Sequence, residues 1–241
     1  MVFLGSVVAI GMGKLIWGGL GQNLFNPALG GRAFLQAAFP TAITTWAVNQ
    51  GPTGFFHLPG GTLALSMMHP SVDVITNATP LGLMKFEHTA TPLLSLFMGT
   101  TGGSLGETSG LLTLVGCAFL VIRKAFDWRI PIAIVGTVAL LSAALHLSDP
   151  GRFPTAPFMV LSGGLLYGSV FMATDPVTSP ITPRGAWIFG AGTGCLVVLI
   201  RLFGGLPEGV MYAILLMNAV TPLINRVSQP KPFGRRNRGA A

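Results

Sequence analysis

Apolar runs broken by short polar or glycine-rich joints set the pattern of this chain. Residues 1 to 18 read as one apolar helix that ends at Gly18-Gly19-Leu20-Gly21. A second helical run extends from about Pro27 to Ala47 and is interrupted near Pro40. Asn26-Pro27 is a natural helix start, because Asn caps the free N–H groups and Pro suits the first turn. Residues 49 to 91 then turn polar and rich in Gly and Pro, a connection far longer than two helices need and of the kind that carries function. The apolar piece from Pro92 to Met98 is too short to cross a bilayer and should dip in and out, closing at Gly102-Gly103-Ser104-Leu105-Gly106-Glu107. Longer runs follow at 108 to 122, 130 to 147, 157 to 173, 186 to 203 and 208 to 224.

These runs predict an all-α polytopic membrane protein, a helical bundle with broken or re-entrant helices. Composition agrees, since 51% hydrophobic residues against 9% charged ones leave too few charges to cover a water-soluble domain. The net charge of +7 does not point to nucleic acid. Four of the fourteen basic residues, Lys231, Arg235, Arg236 and Arg238, crowd the last eleven positions, which is a topology signal. With that tail on the cytoplasmic side, counting backwards puts the basic loop 123 to 129 inside and Ser104 to Glu107 outside. The 49 to 91 loop is then outside as well. Trp17-Gly18-Gly19-Leu20 and Phe203-Gly204-Gly205-Leu206 echo one another on opposite faces, which suggests an inverted repeat. The expected division is 1–48 for the remainder of the first repeat, 49–91 for the outer loop and 92–107 for the re-entrant segment. The other transmembrane helices, with the second repeat, occupy 108–226, and 227–241 is the basic tail.

Few residues offer chemistry. Cys117 and Cys195 read as small buried side chains without a disulfide or metal partner. His57, His69, His88 and His146 have no metal spacing, and neither a nucleophile elbow nor a phosphate-cradling loop is visible. Charges beside the spans are more informative, because each is costly within a bilayer. Lys14 and Arg201 read as side chains that snorkel to an interface, and Arg32 and Glu107 sit at a helix start and a glycine-rich break. Asp175 and Glu208 either cap helices or line a cation path.

The stretch Asp73 to Pro80, DVITNATP, is a polar island in the outer loop. Thr79 there could mark a plain Thr-Pro turn, or a glycosylation acceptor with Asn77 and Ala78, which Pro80 disfavours. Asp73, Thr76, Asn77, Ala78 and Thr79 also resemble the acceptor pattern of flavin transferases: Asp, two residues, Ser or Thr, Gly, Ala, then the modified Ser or Thr. Asn77 replaces the usual Gly and is the next best residue for a turn with positive φ.

The likeness reaches over nearly the whole chain. GGLGQNLFNPALGGRAF at 18 to 34, GGSLGETS at 102 to 109, DWRIP at 127 to 131, FMATDPVTSP at 171 to 180 and PEGVMYAILLMN at 207 to 218 stand in order. Together they resemble the family of membrane proteins shared by the Rnf complex, as its RnfD component, and the sodium-pumping NADH:quinone reductase, as its NqrB component. The ending TPLINRVSQPKPFG at 221 to 234, the TPL after the acceptor alanine and the short length favour the Rnf side. The resemblance implies an inverted-repeat fold like that of urea channels, with FMN bound covalently through its phosphate to Thr79, while a second, non-covalent flavin is a further candidate. It implies a multi-pass component of a bacterial or archaeal cytoplasmic membrane complex that passes electrons between ferredoxin and NAD while moving Na⁺ or H⁺. Partners would be the other membrane and peripheral subunits, among them a second FMN-bearing one, and the flavin transferase. Family members are longer at the N-terminus, so the first repeat is expected to be incomplete here. A rival from another class is a cofactor-free solute channel on the same inverted repeat.

Overall fold

A computed structural model of the chain describes residues 1–16, 19, 21–40, 43, 78–104 and 107–230. Asp73, Thr76, Asn77, His57, His69 and the basic residues of the tail lie outside the described residues. Within them the protein is all helical, with no strand. Helix α1 (Val2–Ile10) runs on through a π-turn, Gly11–Leu15. Helix α2 (Pro27–Ala38) begins as its sequence predicts: the Asn26 side chain accepts from the Ala28 and Leu29 N–H groups at 3.0 and 3.3 Å. It ends at Ala38, two residues before Pro40, whose ring disfavours helical backbone in the residue ahead of it. Next come α3 (Pro80–Gly82, continued by a π-turn at Leu83–Glu87), α4 (Leu93–Met98) and α5 (Gly110–Ile122). They are followed by α6 (Arg129–Ser148), α7 (Ala156–Leu161) and α8 (Leu165–Tyr167, continued by a π-turn at Gly168–Met172). The last two are α9 (Pro183–Phe203) and α10 (Val210–Ser228).

Among the described residues three helices, α6, α9 and α10, are long and apolar enough to cross a membrane, and α1 and α5 are shorter apolar helices. The all-α polytopic class read from the sequence is therefore observed. Large apolar side chains such as Leu140, Leu147, Leu199, Leu216, Leu223 and Val227 stay exposed on the outside, as suits a bundle solvated by lipid.

The core forms where α6, α9 and α10 meet, around Ile130, Ile134, Val138, Phe189, Val197 and Ile214. Lipid supplies no hydrophobic drive between helices, so close backbone approach has to hold them together. Gly194 of α9 provides it. A Cβ there would lie 2.8 Å from Thr137 Cβ and 2.9 Å from the Ile134 carbonyl of α6. Gly194→Val should push the two helices apart and cost about 1–3 kcal/mol, read as a lower thermal midpoint of the detergent-solubilised protein; an unchanged midpoint would contradict this packing.

Two expectations need correction. The apolar run at 157 to 173 is two helices, α7 and α8, separated at Ser162-Gly163-Gly164, where Gly163 adopts φ +63°. No side chain fits there, since a Cβ on Gly163 would strike Glu208 and Leu81. Cys195 is exposed on α9 rather than buried, and Cys117 is intermediate; both are free.

Candidate cofactor and ion site

Thr79 sits at the head of α3 with extended backbone, and its Oγ accepts from the Gly82 N–H at 3.2 Å. Pro80 fills the first turn, where its missing N–H goes unused. Two contacts fix this element. Leu81 packs with Leu96 and Phe158, and Lys85 Nζ donates to the carbonyls of Arg201, Gly204 and Leu206 at 3.0, 2.5 and 2.8 Å. Thr79 therefore lies at the same end of the bundle as the turn between α9 and α10.

Four charges gather around the break between α7 and α8. Arg32 of α2 donates to Glu107 Oε1 at 2.7 Å, and the Glu107 side chain is only 10% exposed. Glu107 rests against the break, since a Cβ on Gly164 would lie 2.8 Å from its carboxyl carbon. On the other side Arg201 of α9 donates to the Met159 carbonyl at 2.7 Å, to the Ser162 carbonyl at 3.2 Å and to Glu208 Oε1 at 3.0 Å. Glu208 also accepts from the Gly164 N–H at 3.0 Å and from the Gly209 and Val210 N–H groups at 3.3 and 3.4 Å. It thus caps α10 while it pairs with Arg201. Burial pushes the Glu107 carboxyl above its ordinary value; Arg32 pulls it back, and Glu208 adds to the rise.

Arg201 does not snorkel. Its side chain is 1% exposed, because Glu208 and two carbonyls take its charge inside the protein. The pairing of Arg32 with Glu107 and of Arg201 with Glu208 lies beyond the sequence reading. The available signal is that all four stand at glycine-rich breaks of a chain with few charges.

Thr79, Ala78, Arg32, Glu107 and Glu208 line one cavity of about 390 Å³, with Leu81, Leu96, Phe86 and Met211 as apolar wall. Its size and mixed lining match small-molecule pockets. Asp175 is elsewhere. Its carboxylate accepts from the Val177 N–H at 3.4 Å and from Thr178 Oγ at 3.2 Å. The segment after it is tied to the far end of α10, where the Ile181 N–H donates to Asn225 and Thr182 to Ser228. Asp175 and Glu208, expected either to cap helices or to line a cation path, thus stand at opposite ends of α9 and α10. Asp175 faces a separate groove of about 830 Å³ that Lys14, Asn23, Asn26 and Arg32 also line.

Apolar spanning helices, a broken helix pair and buried charges around a cavity define a polytopic membrane protein with a polar interior site. Residues 1–234 match the NQR2, RnfD, RnfE family, and the chain belongs to that family. It is 43% identical over 98% of its length to the D component of the proton-translocating ferredoxin:NAD(+) oxidoreductase complex of Clostridium ljungdahlii, covering 69% of that protein. It is 44% identical over 98% of its length to the D component of the ion-translocating oxidoreductase complex of Stutzerimonas stutzeri, covering 70% of it. A third relative, the D component of the Na(+)-translocating ferredoxin:NAD(+) oxidoreductase complex of Acetobacterium woodii, is 40% identical over 96% of this chain and 65% of its own.

Proposed function

We propose that the chain is the D component of an Rnf-type, ion-translocating ferredoxin:NAD⁺ oxidoreductase and carries FMN esterified through its phosphate to Thr79. Such a component works only within its complex. The observation that carries the reading is that Thr79 lines a cavity with both polar and apolar walls. A flavin held there would supply the electron-transfer chemistry, for which the cavity lining, without Cys, Tyr or Trp among the described residues, has no redox-active side chain. The residues present suit it. Thr79 Oγ is anchored by Gly82, and an ester oxygen keeps a lone pair for that hydrogen bond. Leu81, Leu96 and Met211 offer an apolar face for a ring system, and Arg32 offers a cation beside it. Lys85 and Leu81 hold the attachment point still against the rest of the bundle.

A covalent tether keeps a one-electron carrier from dissociating, and the flavin transferase reaches it on the outer loop. The protein then exchanges electrons with a second flavin-bearing partner on that face while the complex moves Na⁺ or H⁺. The chain made with the transferase should fluoresce as a flavin after denaturing electrophoresis, and the chain made without it should stay dark. A dark band in both preparations would favour the cofactor-free channel.

Lys85 permits a further check. Its three carbonyl acceptors close the end of α9, where the helix dipole favours a cation. Lys85→Met should leave the flavin attached but free the turn at Gly204-Gly205-Leu206, seen as faster amide exchange there; unchanged exchange would count against the clamp.

A further inference from the structure

We propose that the Arg32–Glu107 ion pair is the gate between two cavities of this protein, so that the translocated cation passes only when the pair opens. This gate rests on the proposed function in two respects: the complex moves a cation through this chain, and its control by electron arrival needs the flavin in the Thr79 cavity.

The two cavities lie toward opposite ends of the bundle. One holds Thr79, Glu107 and Glu208 near the α9–α10 turn, and the other holds Asp175, Lys14 and Asn23. Among the described residues, Arg32 alone lines both. The wall between them is built from α2 and the π-turn of α8. Within that turn Gly168 and Met172 face the Thr79 cavity, whereas Val170 and Phe171 face the groove. Asn26 fastens the two walls by donating to the Met172 carbonyl at 2.9 Å. Of the three π-turns among the described residues, this one stands at the partition.

A guanidinium at the partition has the wrong sign for a cation path, and that makes Arg32 a barrier. Fixed between two cavities and paired with Glu107, it occupies the carboxylate that could receive a cation and keeps its own positive charge at the partition as long as it stays in place. Glu107 holds it with one hydrogen bond at 2.7 Å, from a glycine-rich segment rather than from a long helix. The second pair is built differently. Arg201 is fastened by two carbonyls as well as by Glu208, which itself takes backbone N–H groups, so that pair is a fixed part of the fold. Among the described residues the Arg32 side chain is held by Glu107 alone.

Release of Arg32 would do two things together. It withdraws the positive barrier, and it frees a carboxylate that can accompany the cation past the partition. A negative charge arriving in the Thr79 cavity competes with Glu107 for the same guanidinium, at short range and away from bulk water. That gives electron arrival a direct hold on the gate, without any longer chain of contacts.

The test uses the whole complex, made with its transferase and reconstituted in liposomes. Passive ²²Na⁺ and proton leak is measured without electron donor or acceptor, alongside in-gel flavin fluorescence. Arg32→Gln and Glu107→Gln should each raise the leak of the translocated ion by about tenfold while the band stays fluorescent, and should lower the number of ions moved per electron. Arg32→Lys, which keeps the charge, should remain tight. A leak and an ion-to-electron ratio equal to wild type in fluorescent Arg32→Gln and Glu107→Gln complexes would overturn the gate. The leak can equally be read on a Thr79→Ala background, so a missing flavin and a missing gate give different results.

Discussion

Replacing Thr79 by alanine is expected to leave a folded, assembled protein with no attached flavin and a complex without electron transfer from ferredoxin to NAD⁺. The expectation of folding comes from local energetics. Thr79 loses only its cap on Gly82, a loss of about 1 kcal/mol at the end of a short helix, and Leu81 and Lys85 still pin α3 to the bundle. The chemical loss is complete, because alanine has no oxygen to esterify. Thr79→Ser keeps both the cap and the ester and should retain fluorescence and activity. A fluorescent denatured Thr79→Ala chain would move the attachment elsewhere, whereas a dark but fully active complex would remove the covalent flavin from the electron path.

The second large effect is on stability. Glu208→Ala should destabilise the protein by about 3 kcal/mol or more, since it strands a guanidinium that is 1% exposed. It also takes the acceptor from the Gly164 N–H and the cap from α10. Partial exposure of the Glu208 side chain, 29%, places the expectation toward the lower end of that range. The double variant Arg201→Met with Glu208→Leu should recover part of the loss, because an apolar pair removes the stranded charge. Thermal unfolding of the solubilised protein reads both. Equal stability of Glu208→Ala and wild type would contradict the buried pair.

Local rules make part of this fold legible. Asn26-Pro27 announces α2 because a cap is settled within four residues, and Pro40 announces its end for the same reason. Length and hydropathy announce α6, α9 and α10, since crossing a membrane is a property of a continuous run. The break at Gly163 escapes that reading. Hydropathy is blind to φ, and apolar residues continue on both sides of the glycines. Arg201 escapes it too, because distance to an interface along the chain says nothing of a glutamate that folds back across a turn. Arg32 and Glu107 are 75 residues apart, a separation over which only the tertiary packing of α2 against the break decides contact. Of the flavin acceptor pattern, the structure describes Ala78 and Thr79, and the cavity beside Thr79 is not legible in the pattern itself.

The most direct measurement is the mass of the peptide that contains Thr79, cut from the chain made together with the flavin transferase. The expected value is the peptide mass plus FMN less one water, with fragmentation placing the addition on Thr79 and not on Thr76 or Thr89. An unmodified peptide recovered from that preparation would contradict the covalent flavin.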